Sequence, residues 1–320
     1  MNKFDYLPLW GGELLKENKN TKLPPAIIAG NGPSLARVDY SRLPKDFHLY
    51  RCNQFYFEDK YYLGKKIQGV LFHPNIFHEQ YYTLKNLEEK GEYEFKEIYC
   101  NRIFGGVGIM HSDPNFFDNM YPDAMETYRL VKNFKEIYAF LRYYDLYFDK
   151  CPTTGIVMAL LAAINGYKEM HLIGIDFYES GDYAFEFRKK NILKLAPSFK
   201  KDTTKDVNTK KLHSKELDLK ILEKIKNYFN LTLYDLSLDE NHPLNLPKSP
   251  LTNSRFNIED KPKDSIKDIL IPELPRAYRA AGLMGEIHEK VHQNIFKRLY
   301  LDTKKIFVKI FNKLFRKDGK

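Results

Sequence analysis

Short apolar runs separated by amphipathic stretches recur along most of the chain, and their lengths predict strands alternating with helices. The run Ala26-Ile27-Ile28-Ala29 follows Pro25 and feeds a glycine-rich turn, Gly30-Asn31-Gly32-Pro33-Ser34. Further strands are expected at His48–Cys52, Gln68–Phe72, Phe95–Cys100, Met170–Ile175 and Leu231–Leu236, with helices at Glu79–Lys90, Ala124–Arg142, Ile156–Asn165 and Glu216–Tyr228. Thr153-Thr154-Gly155 opens the most regular of these helices, and Gly166 is its natural stop. Strands and helices alternating at such lengths mean parallel βαβ units, and so an α/β fold.

Three stretches break the alternation. Residues 101–120 are glycine-punctuated and irregular. Residues 177–213 are lysine-rich and too long for a plain connection, which suits a lid or binding loop. Residues 239–275 are rich in proline with little periodicity, and are expected to be a surface excursion or linker. Residues 1–21 receive no role. From Glu286 onward Ile287, Val291, Ile295, Leu299, Ile306, Ile310 and Leu314 recur at helical spacing with lysines between them, a basic amphipathic helix or helix pair. That pattern fits a terminal helix facing a core, and equally a helix lying on an anionic membrane surface.

Composition narrows the classes. A hydrophobic content of 43% with 15% aromatic supports a packed core in a chain of 320 residues. The formal charge is +9, yet residues 286–320 carry ten Lys or Arg against four Asp or Glu, a net +6. Most of the excess is a property of the tail, whereas a nucleic-acid-binding domain spreads a basic face over its folded body, so nucleic acid is not expected as a partner. Three dispersed cysteines, Cys52, Cys100 and Cys151, make neither a disulfide framework nor a C-x-x-C metal site and suit a reducing cytoplasm. The N-terminus lacks the apolar core of a signal peptide, and the longest apolar run, Ile156–Ile164, is too short to span a bilayer.

Candidate chemistry gathers at strand ends. In open α/β sheets the ligand lies beyond the carboxyl ends of the strands. Just past the strand at Met170–Ile175 come Asp176, Tyr178 and Tyr183, two phenols within reach of such a ligand. Ordinary packing is the alternative for tyrosines in a chain with 23 of them. The turn carrying Asn31, Gly32 and Ser34 has the character of a first βα turn in a nucleotide-binding half, where backbone N–H groups approach a phosphate or ribose, or else of a plain strand-to-loop turn. It is not the NAD fingerprint, because no third glycine follows and Asn53, not an acid, closes the second strand. His288-Glu289-Lys290-Val291-His292 matches the zinc-peptidase pattern, but no Glu follows Glu289 to complete a ligand set and the match lies in the basic tail, so it is set aside.

The segments IIAGNGPSL, DYSRLP, LYRCNQFYFEDKYYLGKK, EQYYTLK, GYKEMHLIGIDFYESGDYAF, NILKLAPSF, HSKELD and KDILIP occur in order from about residue 26 to 272. Together they closely resemble the bacterial sialyltransferases of glycosyltransferase family 42, the Campylobacter lipooligosaccharide type. The resemblance implies a single Rossmann-like domain of GT-A type with a parallel sheet, taken here as residues 22–255 with a lid at about 177–213, followed by a linker and basic membrane-associating tail over 256–320. It implies inverting, metal-independent transfer of N-acetylneuraminic acid from CMP-Neu5Ac to a terminal galactose or sialic acid of lipooligosaccharide, with no cofactor. Asn31 and Asn53 then fall where the family holds CMP, with Gly32 and Ser34 in the same turn, Asp176 at the following strand end, and Thr153 and Thr154 in place of a Thr-Ser pair. Tyr178 and Tyr183 match the tyrosines that hydrogen-bond the departing phosphate, and His213 matches the general base.

Chemistry of this kind suits those residues. A phosphate leaving group supported by two phenols needs no metal clamp, and the sequence contains no Asp-x-Asp. Three positions depart from the family: His73 stands for an Asn near the sugar, Cys151 for an Arg before the Thr-Ser pair, and Lys210 for a Tyr ahead of the base. These leave the CMP half intact and open two alternatives, a transferase for another CMP-activated acidic sugar such as Kdo, and a catalytically impaired membrane-surface scaffold. The expected setting is the inner face of the cytoplasmic membrane, with the tail on anionic lipid and a homo-oligomer, tetrameric in the family.

Overall fold

The computed structural model describes residues 23–103, 116–177, 183–185, 212–252, 254–262 and 265, together with 299–300, 303–304 and 306–307. The chain forms two compact units, 1–271 and 272–320.

A seven-stranded, wholly parallel sheet organises the first unit. Its strands are β1 (Ala26–Ala29), β2 (His48–Cys52), β3 (Lys66–Phe72), β4 (Glu94–Cys100), β5 (Ala124–Glu126), β6 (Glu169–Ile173) and β7 (Thr232–Asp235). They lie in the order β5-β4-β3-β2-β1-β6-β7. The order runs one way to β1 and then resumes at β6, so the switch point lies between β1 and β6, where the connections leave to opposite sides and open a crevice.

Side-chain alternation along β1 shows why the sheet is buried on both faces. Ile27 and Ala29 join a core with Leu35, Phe55, Tyr56 and the helix α1 (Phe77–Glu89), while Ala26 and Ile28 join a second core beneath α5 (Thr154–Ile164) and α6 (Lys215–Phe229). Helix α5 is apolar on all sides, as a helix must be when neighbours cover its whole circumference, and Gly155–Ala163 are all buried. Helices α2 (Phe116–Met120), α3 (Thr127–Val131) and α4 (Lys135–Phe148) complete the layer order.

Three expectations change. The single helix at Ala124–Arg142 is instead the edge strand β5 followed by α3 and α4. Ala124, Met125 and Glu126 pair with Ile98, Tyr99 and Cys100, and a sheet edge offering its ladder outweighs the local helical pattern. Strand β6 ends at Ile173, because Gly174 turns to φ 67° directly against Gly30. Parts of the proline-rich segment after 239 are packed inward: His242, Leu244, Ser249 and Lys261 are buried, and Lys261 reaches the carbonyl of Tyr56 and the hydroxyl of Tyr93. Most of the expected lid, and most of the tail, lie outside the described residues. Of the tail, Leu299, Tyr300, Ile306 and Phe307 are helical and exposed. Among the described residues no helix is long and apolar enough to cross a membrane.

Candidate active site

A cleft of about 560 Å3, open mouth included, sits at the β1/β6 switch point. Its floor is built by glycine. A Cβ on Gly30 would stand 2.2 Å from the Gly174 carbonyl oxygen, and one on Gly32 2.1 Å from Asp176 Oδ2. The loops leaving β1 and β6 therefore cross at backbone contact, tied by Gly30 N–H to Ile173 O and Gly32 N–H to Gly174 O, each 2.9 Å. Only glycine permits that approach.

Beneath the crossing lies a buried polar knot. Asp176 Oδ2 accepts the Ser34 N–H at 3.0 Å, and its Oδ1 lies 3.0 Å from His242 Nε2. The Ser34 hydroxyl accepts the Gly174 N–H at 2.9 Å. Burial pushes the Asp176 carboxyl up, but hydrogen bonds from His242 and Ser34 and the field of His242 outweigh it and hold the group below the usual carboxylate range. Ser34 is fully buried behind the turn, so it supports the cleft without lining it.

Asn31, Gly32, Asp176, Asn53, Thr153, Thr154 and Tyr183 all line the cleft. Asn31 donates from Nδ2 to Cys52 O at 2.9 Å, and among the described residues its buried Oδ1 has no partner, which leaves it an acceptor for a bound ligand. Asn53 adopts φ 48°, a conformation asparagine tolerates, and accepts the His73 N–H on Oδ1 at 3.0 Å. Its amide nitrogen is the donor that remains. Tyr183 is brought to the cleft by the Ala184 N–H bond to Asn31 O at 2.9 Å. Tyr178 lies outside the described residues.

The first residues of α5 form the opposite wall. Thr153 caps the helix, and the N–H groups of Thr154 and Gly155 precede the first intrahelical bonds, which run from Ile156 and Val157 to Thr153 O. Such a helix end attracts an anion through free N–H groups and the helix dipole. The Thr153 N–H and hydroxyl both go to Asp218, at 3.0 and 2.6 Å.

His213 does not line the cleft. It is joined to Cys151, two residues before Thr153: the Leu212 carbonyl accepts the Cys151 N–H, and the Cys151 carbonyl lies 2.9 Å from His213 Nδ1. A carbonyl only accepts, so Nδ1 carries the proton and Nε2 keeps its lone pair. Burial lowers the His213 pKa, the Cys151 carbonyl opposes that, and Lys150 adds to the lowering. His73 is brought down to about 4 by burial and by the charge of His213, which places the two imidazoles near each other. The Cys151 thiol, 3.6 Å from His213 Nδ1, is pushed up to about 12 by burial and stays a thiol. Among the described residues no group of three His, Cys, Asp or Glu side chains is arranged to hold a metal ion.

Four residues that build this site escape a reading of the sequence. Gly174 follows its strand without a repeated motif, and Gly155 looks like part of a helix start. His242 sits in a proline-rich stretch far from the strands, and Asp218 looks like an ordinary first-turn acid of α6. Only Asp218, five residues after His213 in an apolar helix face, carried a signal: a carboxylate on a buried face requires a partner.

A model of the alpha-2,3-sialyltransferase (CST-I) family matches residues 24–317. Monofunctional alpha-2,3-sialyltransferase Cst-I from Campylobacter jejuni is 38% identical, with 88% of this chain and 99% of that chain covered and a TM-score of 0.74. CstII from Campylobacter jejuni, in complex with the substrate analogue CMP-3FNeuAc, is 43% identical over 82% of this chain and 99% of its own, with a TM-score of 0.71. An uncharacterized protein of Haemophilus influenzae is 36% identical over 167 residues, 51% of this chain and 69% of the relative.

Proposed function

The chain belongs to the alpha-2,3-sialyltransferase (CST-I) family, and from that premise we propose that it moves N-acetylneuraminic acid from CMP-Neu5Ac to a terminal galactose or sialic acid of lipooligosaccharide, with inversion and without metal. It is a sialyltransferase that depends on a CMP-sialic acid donor. The observation that carries the residue assignments is the cleft at the switch point, where Asn31, Asn53, Thr153, Thr154 and Tyr183 converge.

Asn31 Oδ1, without a partner among the described residues, and the amide nitrogen of Asn53 suit the cytidine and ribose, and the α5 N-terminus suits the phosphate. His213 Nε2 takes the proton of the acceptor hydroxyl as that oxygen bonds to C2 of the sugar. The C2–O bond to phosphate breaks, and CMP leaves with the electron pair. Tyr183, together with Tyr178, donates to the phosphate oxygens as their charge grows, so no metal is called for. Incubation with CMP-Neu5Ac and lactose, followed by linkage analysis of the product, is the direct test. A sialyl-lactose product supports the reading, and failure to consume CMP-Neu5Ac sinks it.

A second reading, transfer of a different CMP-activated acidic sugar, is favoured by His73 beside His213 where the family commonly carries Asn. Consumption of CMP-Kdo but not CMP-Neu5Ac would select it, and donor binding without transfer of any sugar would leave the scaffold. The tail is proposed to lie on the inner membrane surface, supported by exposed Leu299, Tyr300, Ile306 and Phe307 among its lysines. Self-association is proposed through α4, which exposes Tyr143, Leu146, Tyr147 and Phe148 on one end. Gel filtration of Tyr147→Gln tests that: an unchanged elution volume rules this face out.

A further inference from the structure

Two segments meet behind the cleft, and the bond between them has a polarity that the ligand can reverse. Asp218 is fully buried and both its oxygens are used by Thr153, Oδ1 by the backbone N–H at 3.0 Å and Oδ2 by the hydroxyl at 2.6 Å. The Thr153 carbonyl is taken by the N–H groups of Ile156 and Val157. The one polar group Thr153 can still offer the cleft it lines is therefore its hydroxyl oxygen.

What that oxygen offers depends on a single proton. With Asp218 ionised, the Thr153 O–H must point at Oδ2, and toward the cleft the oxygen can only accept. With Asp218 protonated, the carboxyl O–H donates to Thr153, and the threonine proton turns toward the cleft as a donor. A phosphate oxygen accepts and never donates, so it pairs only with the second state. We propose that Asp218 is a positioning residue that sets the hydrogen-bond polarity of Thr153, and that binding the anionic donor draws one proton onto the Asp218–Thr153 pair.

Electrostatic surroundings agree. Burial raises the Asp218 carboxyl, the two Thr153 bonds oppose it, and the result is about 7, so the proton is exchangeable at neutral pH. Lys215 and Glu216 lie within three residues of Asp218 on its own helix, and the other charged groups of this region, Asp145 and Asp149 at the end of α4 and Lys150 in the connection, act on the Cys151 segment that leads into Thr153. Asp218 itself also bears on the Cys151 thiol, and Glu216 pairs with Lys220. An anion at the α5 N-terminus adds a like charge close to Asp218, which favours its protonated form.

The inference rests on the cleft being a CMP-sugar site. The test uses the intact chain and CMP-3FNeuAc, whose phosphate diester and carboxylate do not titrate near neutrality, in calorimetry with two buffers of different ionisation enthalpy. Wild type is expected to take up about three quarters of a proton per donor bound at about pH 7.5, since a group with a pKa of about 7 is roughly one quarter protonated there before binding, and Asp218→Asn none. Asparagine keeps the acceptor for the Thr153 N–H and permanently donates to its oxygen, so this variant should bind the analogue at least as tightly as wild type, with affinity no longer changing between pH 7 and 8. Uptake that persists in Asp218→Asn belongs to His213 or His73 and overturns the proposal. Infrared spectra of wild type with analogue provide a readout independent of the variant's folding: a protonated carboxyl band that appears on binding supports the proposal, and its absence overturns it. If wild type does not bind the analogue, the donor reading falls and takes this inference with it.

Discussion

The two walls of the cleft are built on different principles. The wall between β1 and β6 is fixed by backbone: Gly30 and Gly174 touch, and the Ser34 and Asp176 groups behind them are hydrogen-bonded, with the Asp176 carboxyl held below the usual carboxylate range. The wall from Cys151 to Thr153, with His213 and Asp218 bonded to it, is fixed by side chains whose protons can move. Burial brings His213 and His73 below the ordinary imidazole range and lifts Asp218 to about 7. A rigid wall suits a nucleotide, which must be held in one pose. A wall of tunable protons suits the step in which a hydroxyl becomes a nucleophile.

The comparison predicts that the rigid wall fails outright when altered. Gly174→Ala places a Cβ 2.5 Å from Gly30 O at φ 67°, so both the contact and the left-handed backbone are lost together. The expected cost is about 3 kcal/mol or more of stability, with donor binding undetectable by calorimetry. Near-normal binding in this variant would mean that the crossing does not shape the site.

Altering the other wall should leave binding and remove chemistry. His213→Ala is expected to lower transfer by about 10²- to 10⁴-fold, the usual worth of a general base, with the affinity for CMP within about twofold of wild type. If His73→Ala is equally inactive while His213→Ala is not, the roles of the two imidazoles are exchanged.

His242→Ala acts between these extremes, since it strips the partner from a buried carboxylate at the base of the rigid wall. Its cost should be about 3 kcal/mol at neutral pH. Asp176 has a folded pKa below its unfolded one, so the stability it contributes is present above the unfolded value and is lost as pH falls through the folded value. Chemical denaturation should therefore show the deficit of His242→Ala shrinking below about pH 4. A deficit that does not change with pH would assign His242 to packing alone.

How far the sequence foretold each wall follows from the range of its interactions. Strand β2, helix α5 and the turn at Asn31 are local patterns, and their composition alone places them. The same holds for Asn53, where a polar residue ends an apolar strand. Strand β5 was hidden because three residues carry no periodicity and its ladder partner, Ile98–Cys100, lies a long way back in the chain. His242 and Asp218 were hidden for a related reason: each is defined by a bond to a residue more than 60 positions away. The knot and the proton pair are tertiary facts, visible only once the loops are placed.

The smallest effect expected needs no substitution. A base whose imidazole is buried keeps its lone pair to lower pH than a free histidine does, because the desolvated cation is the disfavoured form. In kcat/KM, the acid limb of the pH profile should accordingly fall below the ordinary histidine value of about 6.5. Lys150 contributes to that lowering, so Lys150→Met should move the limb back up by a few tenths of a pH unit, roughly the effect of one nearby charge seen through partly solvated protein. His213 also links this limb to folding, with the same sign: its folded pKa lies below its unfolded one, so stability is full above about pH 6.5 and declines as pH falls toward the folded value. Rate and stability should therefore both decline on acidification, the rate limb tracking the folded pKa and the stability loss beginning higher, at the unfolded one. An acid limb at or above the ordinary histidine value would show that the titrating base is exposed, and would move the proton-accepting role away from His213.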